Sequence, residues 1–310
     1  MKVVVTGGAG FIGANLCRAL ARAGATDVVA YDDLSTGVAE NLDGTSARLV
    51  RGDVLDEESL RAEVAGAASI VHLAARPSVP RSLADPEASH RVNASGTVRV
   101  LEAARAEGVD HVVVASSSSV YGANPTLPKR EDQVPMPVSP YAASKLATES
   151  YALAWQRSFG TGVLALRFFN VFGPLQPAGH AYAAVVPVFV DAARRGAPLP
   201  VHGDGSQTRD FTYVGTVAAV LAEAVVGRVC HDGPVNLAFG TRTSLLDLIG
   251  RLEGILGHPV ARDHQPVRAG DVPHSQADSG VLRSLFADVE PVDLDAGLRA
   301  TVDWFAEQQG

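Results

Sequence analysis

Cysteine is nearly absent from this chain. Cys17 and Cys230 stand far apart in unrelated contexts, so neither a disulfide framework nor a cysteine metal site is available and a reducing compartment is the expectation. Long apolar runs are missing too. The longest, residues 181–190, is broken by Pro187 and falls well short of the roughly 20 residues a membrane helix requires. The opening Lys2-Val3-Val4-Val5 reads as a strand and lacks the parts of a signal peptide, so a cytoplasmic protein is expected. Basic charge is short: 26 Lys and Arg face 34 Asp and Glu, a net −8, which denies the chain the broad positive field that nucleic acid or an anionic membrane selects. Neither is expected as a partner.

What is there suits a compact α/β protein. Of 310 residues, 46% are hydrophobic, with 30 Gly and 18 Pro, and that length accommodates one large domain or two modest ones. Short β-branched runs at Val3–Thr6, Asp27–Tyr31, Arg48–Arg51, Ser69–Leu73 and His111–Ala115 alternate with helical patterns at Phe11–Ala23, Asp56–Val64 and Pro86–Glu107. Gly162–Arg167 after the helix Pro140–Phe159, and then Pro234–Ala238, extend the series. Such alternation predicts right-handed crossovers and a Rossmann-like, doubly wound parallel sheet covered on both faces. From about Phe169, prolines and glycines interrupt shorter elements, which predicts a smaller, mixed C-terminal lobe. The expected division is 1–168 and 169–310, interwoven, with 234–238 returned to the sheet.

Thr6-Gly7-Gly8-Ala9-Gly10-Phe11-Ile12-Gly13 leaves the first strand and opens the first helix, the setting a dinucleotide fingerprint requires. Gly7 allows the tight turn, Gly10 the close approach of a pyrophosphate and Gly13 close helix packing, while amides around Phe11 and Ile12 supply the anion site. Asp32, about 20 residues on, can accept both hydroxyls of an adenosine ribose and would repel a 2′-phosphate, which favours NAD over NADP. Asp33 competes for that role, although an Asp before Ser35-Thr36-Gly37 more often makes a turn. Asp53 and Val54 follow the third strand, where they can meet an adenine edge or simply start a helix.

Tyr141 and Lys145 lie four apart on a helix opened by Pro140, so they share a face. An ammonium beside a phenol, with a cationic nicotinamide near, is expected to bring the phenol toward neutrality and let it take a proton from an alcohol. Ser116-Ser117-Ser118-Ser119 leaves the carboxyl end of the fifth strand, the edge where ligands bind in open parallel sheets. With this set, the sequence resembles the extended short-chain dehydrogenase/reductase family, and in particular its nucleotide-sugar epimerases and dehydratases. The resemblance runs through His72-Leu73-Ala74-Ala75, Asn93-Ala94-Ser95-Gly96-Thr97, Arg167–Gly173 and Arg268–Asp271.

The resemblance implies a catalytic hydroxyl at Ser117, a base at Tyr141 and its lysine at Lys145, with NAD contacts on the glycine turn, Asp32, Leu73, Ala74, Ala75 and Asn93. It places Asn170, Arg209 and Arg268 on the nucleotide diphosphate and Asp271 on the nucleotide ribose, and it implies a homodimer through the helices Pro86–Glu107 and Pro140–Phe159. Plainer roles stand beside these: His72 as a core residue, Asn93 as a tie between helix and sheet, Tyr121 packed under its loop. Family members that eliminate water or carbon dioxide place acidic groups after the catalytic hydroxyl, whereas this chain has Ser118 and Ser119, so inversion at carbon 4 through a transient 4-keto sugar is implied. For the sugar, the loop Ala75–Ser82 brings Ser78, Arg76 and Arg81 to the substrate edge, which leans toward UDP-glucuronate over UDP-glucose. Leu175, standing where many relatives have arginine, takes one anion contact away.

Overall fold

The computed structural model describes residues 1–179, 183–267 and 272–308. Six strands, β1 (Lys2–Thr6), β2 (Asp27–Asp32), β3 (Arg48–Arg51), β4 (Ser69–His72), β5 (His111–Ser117) and β6 (Gly162–Phe168), join the strand Pro234–Leu237 in one sheet. Its spatial order is Pro234–Leu237, β6, β5, β4, β1, β2, β3, and every pairing is parallel. The order reverses between β1 and β4, and the crevice there, at the carboxyl ends of the strands, is where a doubly wound sheet binds its ligand.

Period-two alternation assigns each side chain to a face. Val3 and Val5 of β1 join the core formed with α1 (Phe11–Arg22), whereas Val4 joins the opposite core, packed under α2 (Glu57–Val64). Beyond β4 come α3 (Val79–Ala84), α4 (Pro86–His90) and α5 (Gly96–Ala106), and after β5 comes α6 (Pro140–Phe159). The expected single helix over 86–107 is not regular: between α4 and α5, Arg91–Ser95 winds as a π turn. Such a turn sheds one ordinary backbone bond and turns its residues relative to the helix on either side, a departure that apolar periodicity does not register.

The C-terminal residues build a separate apolar cluster in which Phe172, Phe211, Leu248 and Leu298 meet Phe189 of α7 (Val185–Arg194). Three two-stranded pairings brace this region. Helix α8 (Val214–Val226) returns to the sheet and packs with α1 through Val217, Val220 and Leu221, a second return alongside Pro234–Leu237. Among the described residues no helix is long and apolar enough to cross a membrane.

Candidate active site

The turn after β1 is built by contact distances that only hydrogen tolerates. A Cβ on Gly13 would lie 2.1 Å from the Gly7 carbonyl oxygen, and one on Gly7, where φ is +71°, would lie 2.7 Å from Ala74 N. The turn therefore lies directly against the Leu73–Ala75 segment leaving β4. Gly10 stands at the helix N-cap without a side-chain cap, so the first amides of α1, at Phe11, Ile12 and Gly13, are left for an anion.

Asp32 ends β2 beside this turn, buried, its carboxylate accepting from Ala9 N at 3.0 Å and Leu34 N at 2.9 Å. Burial pushes its pKa up, opposed by hydrogen bonds from Leu34, Ala9 and Gly10. A carboxylate has about four lone-pair positions, so acceptor capacity remains for a ribose diol. The uncapped amides, the glycine cradle and Asp32 thus fit a dinucleotide. Asp33 is exposed and folds onto its own Ser35, taking bonds from the Ser35 amide and hydroxyl, as a turn residue does. Asp53 accepts from Leu55 N while its carbonyl holds the Tyr31 hydroxyl, and Val54 is buried in the core under α2 and α5.

Ser117 and Tyr141 are within hydrogen-bond reach of each other, and Lys145 reaches the strand that carries Ser117. The Ser117 hydroxyl accepts from Ser119 N at 3.2 Å and from the Ser119 hydroxyl at 2.9 Å, and its hydrogen bond with Tyr141 favours the phenolate. Lys145 is buried on the same face of α6, where Nζ donates to Ala115 O at 2.9 Å and burial lowers its pKa to about 8. Burial holds the Tyr141 phenol above its ordinary value, opposed by the hydrogen bond with Ser117. Spacing shows that a lysine is one turn away, but it does not show how dry the site is.

Asn93 lies in the π turn with its amide fully engaged: Oδ1 accepts from Arg76 N at 2.7 Å, and Nδ2 donates to Arg76 O and to Ser144 Oγ. The tie between helix and loop is therefore what its side chain makes here. Ser78 caps α3 by accepting from Arg81 N, and Arg76 pairs with Asp85 at 3.1 Å. Ser118 and Ser119 lie in the 3-10 turn Ser118–Tyr121. On the far side of the crevice Asn170 Nδ2 donates to Asp210 O, and Arg209 donates to Thr208 O and Pro273 O. Arg268 and Asp271 lie outside the described residues.

Three supporting side chains escape a reading of the sequence, because their partners are distant in the chain. Ser82 Oγ accepts the Tyr141 amide at 3.0 Å, fixing the first turn of α6 against α3. Glu149, two turns beyond Tyr141, receives Arg167 through two bonds of 2.7 and 2.9 Å and also the Ser116 hydroxyl at 2.9 Å. Arg167 lies over the Tyr121 ring, and the Tyr121 hydroxyl donates to Asn236 at 2.6 Å, so Tyr121 is indeed packed beneath its loop. Asp210, with no surface exposure and a pKa raised by burial, gathers Gly240 N, Ala277 N and the Thr241 hydroxyl within 3.1 Å. Its one hint in the sequence is its place beside Arg209.

A glycine-cradled anion site at the switch point of a parallel sheet, with serine, tyrosine and lysine at the same edge, defines a dinucleotide-dependent enzyme of the extended short-chain dehydrogenase type. Residues 3–230 match the model of the NAD dependent epimerase/dehydratase family, and the chain belongs to that family. It is 38% identical over 313 residues to UDP-glucose 4-epimerase of Mycolicibacterium smegmatis, covering 98% of both chains. The UDP-N-acetylglucosamine 4-epimerase of Methanobrevibacter ruminantium, solved with UDP-N-acetylmuramic acid, superposes with a TM-score of 0.93 at 34% identity, covering 99% of this chain and 98% of that one. UDP-glucose 4-epimerase of Thermotoga maritima, solved with UDP-glucose, gives 0.92 at 32% identity and covers all of both chains. NAD is the cofactor of this family.

Proposed function

We propose that the protein is a UDP-sugar 4-epimerase, inverting carbon 4 of the sugar while NAD stays bound. What supports the reading is the hydrogen bond between Ser117 and Tyr141, with Lys145 one turn along the same helix, in a loop whose following residues, Ser118 and Ser119, bring no acid for elimination. NAD, when bound, supplies the reversible two-electron step at carbon 4 and a positive ring beside the phenol. Tyr141 takes the proton from the sugar 4-hydroxyl and returns it after the keto-sugar has turned over, while Ser117 aligns the reacting oxygen. Lys145 favours the phenolate by its charge and, through Ala115 O, stays at a fixed depth. Asn170 and Arg209 face the diphosphate, each now holding a carbonyl that it can exchange for a phosphate oxygen.

For the sugar, a neutral UDP-hexose fits better than UDP-glucuronate. The hexuronate reading leaned on Arg76 and Arg81, and Arg76 already shares its charge with Asp85. Two of the relatives named above are UDP-glucose epimerases, which supports the neutral hexose. A homodimer through α5 and α6 would cover Tyr151 and Phe159, which are 43% and 54% exposed along one stripe of α6. Chromatography of the products from UDP-glucose, UDP-glucuronate and UDP-N-acetylglucosamine tests the function. A 4-epimer formed without added NAD supports it, and a 4-keto-6-deoxy product overturns it in favour of a dehydratase. A tenfold preference for UDP-glucuronate would restore the hexuronate.

A further inference from the structure

His72 ends β4 in the interior, 2% exposed, and burial together with the charge of Lys145 lowers its pKa to about 3. The imidazole is therefore neutral, with one donor and one acceptor nitrogen. Each nitrogen meets a hydroxyl: Nδ1 lies 2.7 Å from Thr6 Oγ1, and Nε2 lies 3.2 Å from Thr97 Oγ1. Both hydroxyls are anchored to the backbone in turn. Thr97 Oγ1 donates to the carbonyl oxygen of Asn93 at 2.5 Å and lies 3.1 Å from the Thr148 hydroxyl, which also reaches Asn93 O. Thr6 Oγ1 accepts the Ala74 amide at 3.4 Å.

The result is a continuous chain of hydrogen bonds linking Ala74 N–H, Thr6, His72, Thr97 and Asn93 O. Its two ends are places where backbone geometry matters. Thr6 leads into the glycine turn, and Ala74 is the residue against which Gly7 has no room for a Cβ. Asn93 lies in the π turn, where its side chain holds both backbone groups of Arg76 and reaches Ser144, whose hydroxyl donates to Tyr141 O at 2.8 Å. One buried ring thus spans β1, the segment after β4 and the helix pair beneath the site.

We propose that His72 is a positioning residue for the dinucleotide: bridging Thr6 and Thr97, it sets the spacing between the glycine turn and the π turn at Asn93, and the tight retention of NAD depends on it. The proposal rests on the reading that the glycine turn and Asp32 hold NAD. An apolar side chain of similar size would fill the space but leave the Thr6 and Thr97 hydroxyls without their common partner, so the two turns would lose their relative register.

The test is the rate at which NAD leaves the purified holoenzyme on dilution, for wild type, His72→Leu, Thr97→Val, the pair combined, and Val71→Ala. Val71 is equally buried on the other face of β4, so its truncation lowers stability without touching the chain of bonds. Release at least tenfold faster in His72→Leu is expected. The combined variant should be no faster than His72→Leu alone, because both break one link, and Val71→Ala should release at the wild-type rate. Release within twofold of wild type in His72→Leu overturns the proposal, as does equally fast release from Val71→Ala or an additive combined variant. If His72→Leu does not fold, Thr97→Val decides: at least threefold faster release upholds the proposal and anything less overturns it. Asp32→Ala separates the two levels: if it too keeps NAD unchanged, the assignment of the dinucleotide site is what has failed.

Discussion

Replacing Arg167 by Met removes one half of an ion pair whose side chains are 2% and 5% exposed. Methionine follows the arginine stem, so little volume is lost, but among the described residues the Glu149 carboxylate then keeps the Ser116 hydroxyl at 2.9 Å in place of the guanidinium. A buried carboxylate without its cation typically costs about 3–5 kcal/mol. The lost stacking on Tyr121, with the guanidinium carbon 4.7 Å from the ring centre, adds on the order of 1 kcal/mol. Replacing both Arg167 and Glu149 by Met removes the orphaned charge as well, leaving mainly the lost stacking and the weakened Ser116 bond, about 1–2 kcal/mol in all. Urea unfolding of NAD-free protein at pH 7, followed by circular dichroism, measures each variant. With a slope of roughly 3 kcal/mol per molar urea, the single variant should unfold about 1.3–2 M earlier than wild type and the double variant within about 0.7 M of it. A single variant less than about 1 kcal/mol below wild type, or a double variant worse than the single one, would refute the reasoning that the pair is dry and mutually dependent.

Other predictions concern the site itself. Lys145 has a folded pKa of about 8 and an unfolded value near 10.5, so between those values only the unfolded chain binds the proton and the group makes stability rise with pH. Lys145→Met should therefore be more stable than wild type at pH 7 while inactive, and its advantage in urea midpoint should shrink from pH 8 to 10; an advantage that stays constant counts against a buried charged lysine. Tyr141→Phe should keep its fold and NAD content but epimerise several orders of magnitude more slowly, and activity within tenfold of wild type removes Tyr141 from the reaction. Asp32→Ala should weaken NAD binding and relax discrimination against NADP, since ribose bonds and phosphate repulsion vanish together; unchanged discrimination points to a different cofactor pose. On the proposed homodimer, sedimentation should show dimer for wild type and monomer for Tyr151→Ser with Phe159→Ser; a monomeric wild type removes the dimer, and an unchanged dimer in the variant places the interface elsewhere.

Local spacing by itself determined much of this protein. The glycine turn is legible because its three glycines, the strand before and the helix after are contiguous, and Gly10 and Gly13 answer steric demands set within the turn itself, although the contact of Gly7 with Ala74 comes from a distant segment. Tyr141 and Lys145 are legible because a helix converts a spacing of four into a shared face, and the strands because β-branched runs alternate with helical ones. What only the tertiary structure decided involves partners far apart in the chain or the degree of exclusion of water. Glu149 meets Arg167 because α6 crosses β5 and β6, Asp210 collects donors from two distant loops, and Ser82 finds the Tyr141 amide 59 residues away. The π turn at Arg91–Ser95 keeps the apolar pattern of the helix around it, so its pattern of hydrogen bonds had no trace in the sequence. Burial, finally, is a property of the assembled fold: it holds the Tyr141 phenol above 10, lowers Lys145 to about 8 and keeps His72 neutral, and no spacing of residues encodes how much water the folded chain leaves beside them.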